Sequence, residues 1–199
     1  QLNKPSLKDL KDERLFDFLS DLKESGRSRY CGVVVGDPAV GDICLQSESI
    51  DCVQVMYHLL YLDHEELIAN ASECGLGVIV RSPLNSGFLS GIYTRETVFP
   101  SGDYRSDFFS GDHFTKRLAV LDDILNEIPV NRDDLLEYAL QFVLSNNSVS
   151  VTIPGASSDS QLLRYLNATR GEFLSNQEIL HVQQVLSQRL DQLQQPLQN

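Results

Sequence analysis

The chain has 199 residues, 42% of them apolar, enough to bury a core, and nothing in it resembles a disordered or collagenous composition. Its 16 basic residues against 28 acidic ones leave a formal charge of −12, which argues against a nucleic-acid footprint and against attraction to an anionic membrane. One soluble domain over residues 1–199 is expected.

Cys31, Cys44, Cys52 and Cys74 lack the close paired spacing of a zinc site, and those in apolar runs read as buried thiols, which suits a reducing compartment. No run approaches the roughly 20 apolar residues that span a bilayer, and no charged-then-apolar leader opens the chain, so the cytoplasm is the expected location. The chain starts on Gln1, and "QLNKPS" reads as the tail of something already under way, which suggests a processed or shortened polypeptide.

Between Asp12 and Ser25, Leu15, Phe18, Leu19 and Leu22 recur at helical spacing, and Gly26 is placed to end the helix. "YCGVVV", Tyr30 to Val35, reads as a buried strand broken by Gly36, Asp37 and Pro38. A weaker helix is expected over Val40 to Ser47, then a strand in "DCVQVMY". Asp63 is the expected cap of "HEELIANASEC", with Glu65 and Glu66 favouring the helix dipole and Gly75 as the stop. "GLGVIV" is the third strand. Strands and helices alternating about every 22 to 25 residues predict βαβ units, and the continuous apolar strands predict a parallel sheet covered on both faces.

After Arg81 follow roughly 30 residues rich in Ser, Gly, Asp and aromatics, a loop far longer than an ordinary connection and therefore expected to be functional or mobile. Its Asn85 to Gly111 portion, with Phe99, Tyr104, Phe108 and Phe109, is expected to help shape a partly aromatic pocket. Two helices are expected next, Asp112 to Glu127 and Arg132 to Leu144, the second capped by Asn131 with Leu135, Leu136, Ala139, Leu140 and Val143 inward. "SVSVTIP" gives a fourth strand. Ser158 is the expected cap of a helix to Asn167, and Ser175 of a last one carrying Ile179, Val182, Leu186 and Leu190. Residues 191–199 are expected to fray.

The stretches "VQVMYHLL", "GVIVRSPLNSGFLSGIY" and "VTIPGASSDSQLLRYL", in this order at strand ends, resemble the aldo-keto reductases, as does the loop's "FPSGDYRS". The resemblance implies a (β/α)8 barrel that binds NADP(H). It matches "YCGVVV", "CVQVM", "GVIVRSPL" and "SVTIPG" to the fifth to eighth barrel strands and "QLNKPS" to the end of the fourth. The predicted fold class is therefore α/β, the C-terminal part of a TIM barrel.

In that family a nicotinamide delivers hydride to a carbonyl while a Tyr donates the proton, its pKa lowered by a Lys paired to an Asp, and a His orients the substrate. The first three belong to strands this register does not include. The His position reads Asn3, which can hydrogen-bond a carbonyl but supplies no acidic proton. For the cofactor, the usual Ser-Asn pair reads Val34 and Val35, Gln54 matches a carboxamide ligand, Arg81 takes the nicotinamide-stacking position, and Ser82, Leu84 and Ser86 match a pyrophosphate-contacting turn. Gly155, Ala156, Ser157 and Ser158 match the turn that holds the adenosine 2′-phosphate at a helix start. Gln161 stands where the family often has an Arg, and Arg164 and Tyr165 stand at adenine-holding positions, as a candidate phosphate clamp and stacking ring. Val34, Val35, Arg164 and Tyr165 weaken the match to NADP(H).

Plainer readings stand beside these. "IPGASS" reads equally as a turn and a helix cap, and Gln54 as a barrel residue. His58 and His64, near Asp63 and Glu65, lack a third metal ligand; His113 and His181 read as helix-surface residues, and Asp122, Asp123, Asp133 and Asp134 as solvated charges. No G-x-S-x-G elbow supports a hydrolase. Three functions remain: a diverged aldo-keto-reductase-like chain, or the C-terminal portion of one, that does not reduce carbonyls alone; the C-terminal part of an active NADP(H)-dependent reductase of small carbonyls; and a non-catalytic binding or regulatory module. Four strands and a stub cannot close a barrel, so the missing half-barrel or a second copy is expected to cover the open edges.

Overall fold

The β-branched runs of the sequence pair side by side in a single parallel sheet. A computed structural model describes residues 1–109, 112–171 and 173–193. Strands β1 (Leu2–Asn3), β2 (Gly32–Val34), β3 (Cys52–Met56), β4 (Gly77–Arg81) and β5 (Val151–Ile153) lie in chain order, every neighbouring pair parallel. The fold is α/β. The strands are shorter than the apolar runs that predict them: Tyr30 stands outside β2, 69% exposed, and β5 keeps only three residues of "SVSVTIP".

Contacts divide the chain into two compact units. The first comprises Gln1–Tyr57, Tyr61–Pro83 and Asn146–Gly155, and the second His58–Leu60, Leu84–Ser145 and Ala156–Asn199.

In the first unit the sheet is accompanied by α1 (Glu13–Glu24), α2 (Pro38–Leu45) and α3 (Glu65–Glu73). Asp12 caps α1 by accepting from the Arg14 N–H, and Asp37 caps α2 by accepting from the Ala39 N–H, with Pro38 in the first turn where its missing donor costs nothing. Gly41 lets α2 lie closely on α3, because a Cβ there would stand 2.6 Å from a Leu67 methyl. Two expectations change. Phe18 is 53% exposed while Leu19 is buried, so the inward stripe of α1 is narrower than the pattern suggests. Asp63 does not cap α3; His64 holds that position, and its Nδ1 lies 3.0 Å from the Met56 carbonyl oxygen at the end of β3. Gly26 and Gly75 end their helices with positive φ, as expected.

The sheet is not equally covered on its two faces, contrary to expectation. Register places Val33, Val53 and Val78 in one row and Val55 and Val80 in the next, all essentially inaccessible to solvent. The alternate rows are Asn3–Val34–Gln54–Ile79–Val151 and Met56–Arg81–Ile153. Here Val151 is 44% and Ile153 46% exposed. The cause is a period-two alternation inside "CVQVM" and "GVIVR" that a count of apolar residues hides. Asp51, just before β3, ties the lower end of the sheet: Oδ2 accepts from the Cys31 N–H at 2.6 Å, and Lys23 Nζ donates to both oxygens at 3.1 and 3.2 Å.

The second unit is largely helical: α4 (Tyr104–Phe108), α5 (Asp112–Leu125), α6 (Leu135–Leu144), α7 (Asp159–Ala168) and α8 (Asn176–Leu193), with α5 packed on α8 and α6 on α7. Leu135, Leu136, Ala139, Leu140 and Val143 of α6 are buried as expected. Asn131 gives no side-chain cap, because a 3-10 turn, Arg132–Asp134, comes before the α-helix proper. Ser158 caps α7 and Ser175 caps α8, the latter reciprocally with Glu178. Val182 and Leu186 are buried; the Leu190 side chain lies outside the described residues. The helix α8 extends to Leu193, and 194–199 lie outside the described residues. No helix among the described residues is long and apolar enough to cross a membrane.

Candidate functional site

A parallel sheet gathers side chains at the carboxyl ends of its strands, so the expected site residues are sought there first. In the first unit Asn3, Val34 and Gln54 are consecutive members of one row across β1, β2 and β3. Asn3 is exposed, Val34 is buried and offers no side-chain hydrogen bond, and Gln54 Nε2 donates to Gln1 Oε1 at 2.6 Å. Val35 is wholly buried and holds the sheet through its N–H, which donates to the Gln54 carbonyl at 2.8 Å. The row is therefore polar at two places and contains no group that exchanges a proton near neutral pH.

Arg81 ends β4 beside Met56 and Ile153. It is half-buried, its Nε is shielded with no hydrogen-bond partner among the described residues, and desolvation lowers its pKa, with Tyr61 the opposing influence. Ser82 follows with a left-handed φ of 56°. Two phenols of this unit, Tyr57 and Tyr61, are poor acids: burial, then the charge of Glu65, pushes Tyr57 up, and burial, then the charge of Asp63, pushes Tyr61 up. Their ionisable influences are mainly carboxylates, the opposite of the cation that activates a phenol as proton donor. Tyr57 Oη donates to Glu65 Oε1 at 3.2 Å.

A cavity of about 680 Å³ lies at the other end of the same strands, lined by Tyr30, Ile50, Asp51, Cys52, Cys74 and Gly77 among others. All four cysteines are free thiols; burial pushes Cys44 up to about 11 and also raises Cys52, so neither is a ready nucleophile. His58 Nδ1 accepts from the Leu60 N–H at 3.2 Å.

In the second unit the turn after β4 is a 3-10 segment, Asn85–Ser90, in which Asn85 and Ser86 take left-handed φ of 45° and 57°. Residues of the long loop hold it. Tyr93 Oη donates to the Ser86 carbonyl at 3.2 Å, Arg105 Nη1 donates to Tyr93 Oη at 3.0 Å, and Asp103 receives the Arg105 Nε at 2.9 Å while capping α4. Phe99 and Phe109 are spent on an aromatic cluster, their ring centroids 5.2 and 6.2 Å from that of Tyr93 and 5.4 Å from each other, whereas Tyr104 and Phe108 are exposed. The aromatic content of the loop thus builds a prop as much as a pocket. Part of this brace is local, since an Asp two residues before an Arg after a Pro-Ser-Gly turn is a readable helix start; its reach to Tyr93 and Ser86 is not.

Hydrogen bonds from Arg105 hold the Asp103 carboxyl down at about 2. Such a group stabilises the fold fully above its unfolded value near 3.8, and that contribution disappears as pH falls through about 2. A carboxyl-detected NMR titration is expected to show Asp103 titrating near 2, and Arg105→Gln to return it toward the ordinary carboxylate range. An Asp103 that titrates normally in the unaltered chain would refute the brace.

The turn before α7 is exposed from Gly155 to Ser158, and the Ser157 N–H and the hydroxyls of Ser157 and Ser158 are engaged locally. Gln161 Oε1 accepts from both the N–H and the Oγ of Ser157, at 2.8 and 3.1 Å. Arg164 forks onto Glu137, with Nε at 3.1 Å from Oε1 and Nη2 at 3.0 Å from Oε2. Tyr165 faces inward, 8% exposed. Asp122 is paired with Arg132 and Asp123 with Arg189, so these two are more than solvated charges, whereas Asp133 and Asp134 are exposed. His181 is exposed with Nε2 at 2.8 Å from the Glu127 carbonyl oxygen; the His113 side chain lies outside the described residues.

Residues 3–187 match the family model described as "Aldo/keto reductase family". The chain is 25% identical over 186 residues to an uncharacterized oxidoreductase, YqkF, of Bacillus subtilis, covering 92% of this chain and 58% of that protein. It is 24% identical over 165 residues to the aldo-keto reductase yakc [NADP(+)] of Schizosaccharomyces pombe, covering 80% of this chain and 47% of that one. Among solved structures, the holo form of aldo-keto reductase AKR11C1 from Bacillus halodurans superimposes with a TM-score of 0.73 at 27% identity, over 93% of this chain and 59% of that one. The chain spans about half the length of the curated relatives it matches.

Proposed function

The chain belongs to the aldo/keto reductase family, and from that premise we propose that it is a diverged member or the carboxy-terminal portion of one, which does not reduce carbonyls alone. In this reading β2 to β5 correspond to the fifth to eighth strands of the barrel and β1 to the end of the fourth. The row Asn3–Val34–Gln54 carries the reading, because it lies at the catalytic end of that register and holds an amide and a valine where proton transfer and carboxamide binding call for other groups. Its partner is the remaining half-barrel or a second copy, set against the half-exposed rows of the sheet. Free, partly buried thiols fit a cytoplasmic location.

The residues present do not fit NADP(H) well. Gln54 is already engaged by Gln1, Val34 offers nothing to a carboxamide, and the turn before α7 is internally bonded. One observation favours an active reductase completed by the other half: Arg81 Nε is shielded and unpaired among the described residues at the carboxyl end of β4. The discriminating measurement is NADPH oxidation, followed at 340 nm, by the 199-residue chain with a panel of small aldehydes. No turnover above background is expected; aldehyde-dependent turnover by the chain alone sinks the proposal.

A further inference from the structure

We propose that the amino terminus of α7 is closed to phosphate by Gln161, so that this chain's cofactor face does not favour a 2′-phosphorylated dinucleotide over its unphosphorylated counterpart. The inference rests on reading this turn as part of a cofactor face, and it turns on what fills the turn.

A helix start attracts phosphate when its first N–H groups are unused, hydroxyls stand near them and a cation is within reach. The α7 start has the hydroxyls, on Ser157, Ser158 and Ser160, but they are engaged. Ser157 donates both its N–H and its Oγ to Gln161 Oε1, while Ser158 Oγ accepts from the Gln161 N–H at 3.3 Å and lies 3.0 Å from Ser160 Oγ. The amide oxygen of Gln161 thus takes the two donors that a phosphate oxygen would otherwise use.

The cation three residues after Gln161 is committed too. Both oxygens of Glu137 hold the Arg164 guanidinium, and its Nη2 also lies 3.5 Å from the Asp133 carbonyl oxygen. Freeing it for a phosphate would leave Glu137, 31% exposed in its side chain, without its countercharge. Asp159, in the first turn of α7, contributes a negative charge of its own. An entering dianion therefore has to displace an amide, pull an arginine from its carboxylate and sit beside an aspartate.

A built-in cap of the same kind closes α8, where Glu178 Oε2 accepts from Ser175 N–H and Oγ at 2.8 and 2.7 Å. The α7 start is constructed as a finished cap rather than an open cradle.

The test compares adenosine 2′,5′-bisphosphate with adenosine 5′-monophosphate, titrated calorimetrically and by amide NMR at Ser157 and Ser158. The unaltered chain is expected to bind the two within about threefold. Gln161→Ala, which releases both Ser157 donors, is expected to gain about tenfold or more in preference for the bisphosphate. Gln161→Glu keeps an acceptor in place, as Glu178 does at α8, and is expected to gain nothing; circular dichroism establishes that both variants fold. A preference of about tenfold or more for the bisphosphate in the unaltered chain overturns the inference, as does a Gln161→Ala chain that gains none. The readout is phosphate preference, so aldehyde turnover by the chain would sink the proposed function and leave this inference standing.

Discussion

Gly91→Ala is expected to destabilise the protein by about 3 to 5 kcal/mol, lowering the melting temperature by roughly 10 °C. Two costs combine. Gly91 has φ 79°, a left-handed conformation that costs an L side chain about 1 kcal/mol or more. In addition, a Cβ at that position would run into the carbonyl oxygen of Arg132 and lie 3.1 Å from its carbon. The obstruction is backbone, so no rotamer change relieves it, and either the Asn85–Ser90 turn or the Arg132–Asp134 turn before α6 must move. Arg132 is held in turn by bonds to the Tyr93 carbonyl and to Asp122. Gly102→Ala supplies the control: φ is 86° there and nothing lies within 4 Å of the added methyl, so only the conformational cost of about 1 kcal/mol applies. Urea melts of the two variants against the unaltered chain separate the contributions. Similar losses at both positions would show that the close approach at Gly91 is not a feature of the protein.

The sequence makes some of this architecture readable and hides the rest for identifiable reasons. Ser158 and Ser175 announce their helices because a cap is a local affair, decided by side chains within three residues. Asp63 fails as a cap because the helix begins one residue later, at Glu65, after a turn in which the Glu65 N–H donates to the Leu62 carbonyl, while the His64 ring reaches the Met56 carbonyl that only the returning chain brings near. The apolar residues of α6 read correctly since one long, strongly periodic helix buries them all. Phe18 does not, since spacing fixes which residues share a side of a helix but not how much of that side the neighbours cover.

Site residues divide along the same line. Asn3, Val34 and Gln54 fall in one row because parallel pairing without bulges preserves register over three short strands. Gln161 looks like the loss of a basic ligand when read against a family pattern. Read against local chemistry, Ser158-x-x-Gln161 is a capping box, and its glutamine reaches one residue beyond the cap to Ser157. Arg164 looks available for a phosphate until Glu137, 27 residues earlier in the chain, is placed against it. Long-range partners of charged side chains are what the sequence leaves unseen.

Val151→Lys combined with Ile153→Lys is expected to abolish association through the open face of the sheet while leaving the fold in place. The two side chains lie on β5 in register with Ile79 and Arg81 and are 44% and 46% exposed. Covering the remaining apolar surface of each contributes about 1 kcal/mol, and a two-copy complex buries four such side chains, so their loss weakens association by roughly a thousandfold. Lysine adds a repulsive element, since its ammonium reaches water from an open face but finds no partner in a closed one. The cost to the folded monomer is small, below about 1 kcal/mol, because neither side chain is fully buried to begin with. Sedimentation velocity and binding of an apolar dye provide the readouts. The unaltered chain is expected to self-associate at high micromolar concentration, or to bind dye strongly when kept dilute, and the doubly substituted chain to stay monomeric and dark. An unaltered chain that is monomeric and binds no dye would mean that this face needs no cover, and the proposal of a completing half-barrel or second copy would fall with it.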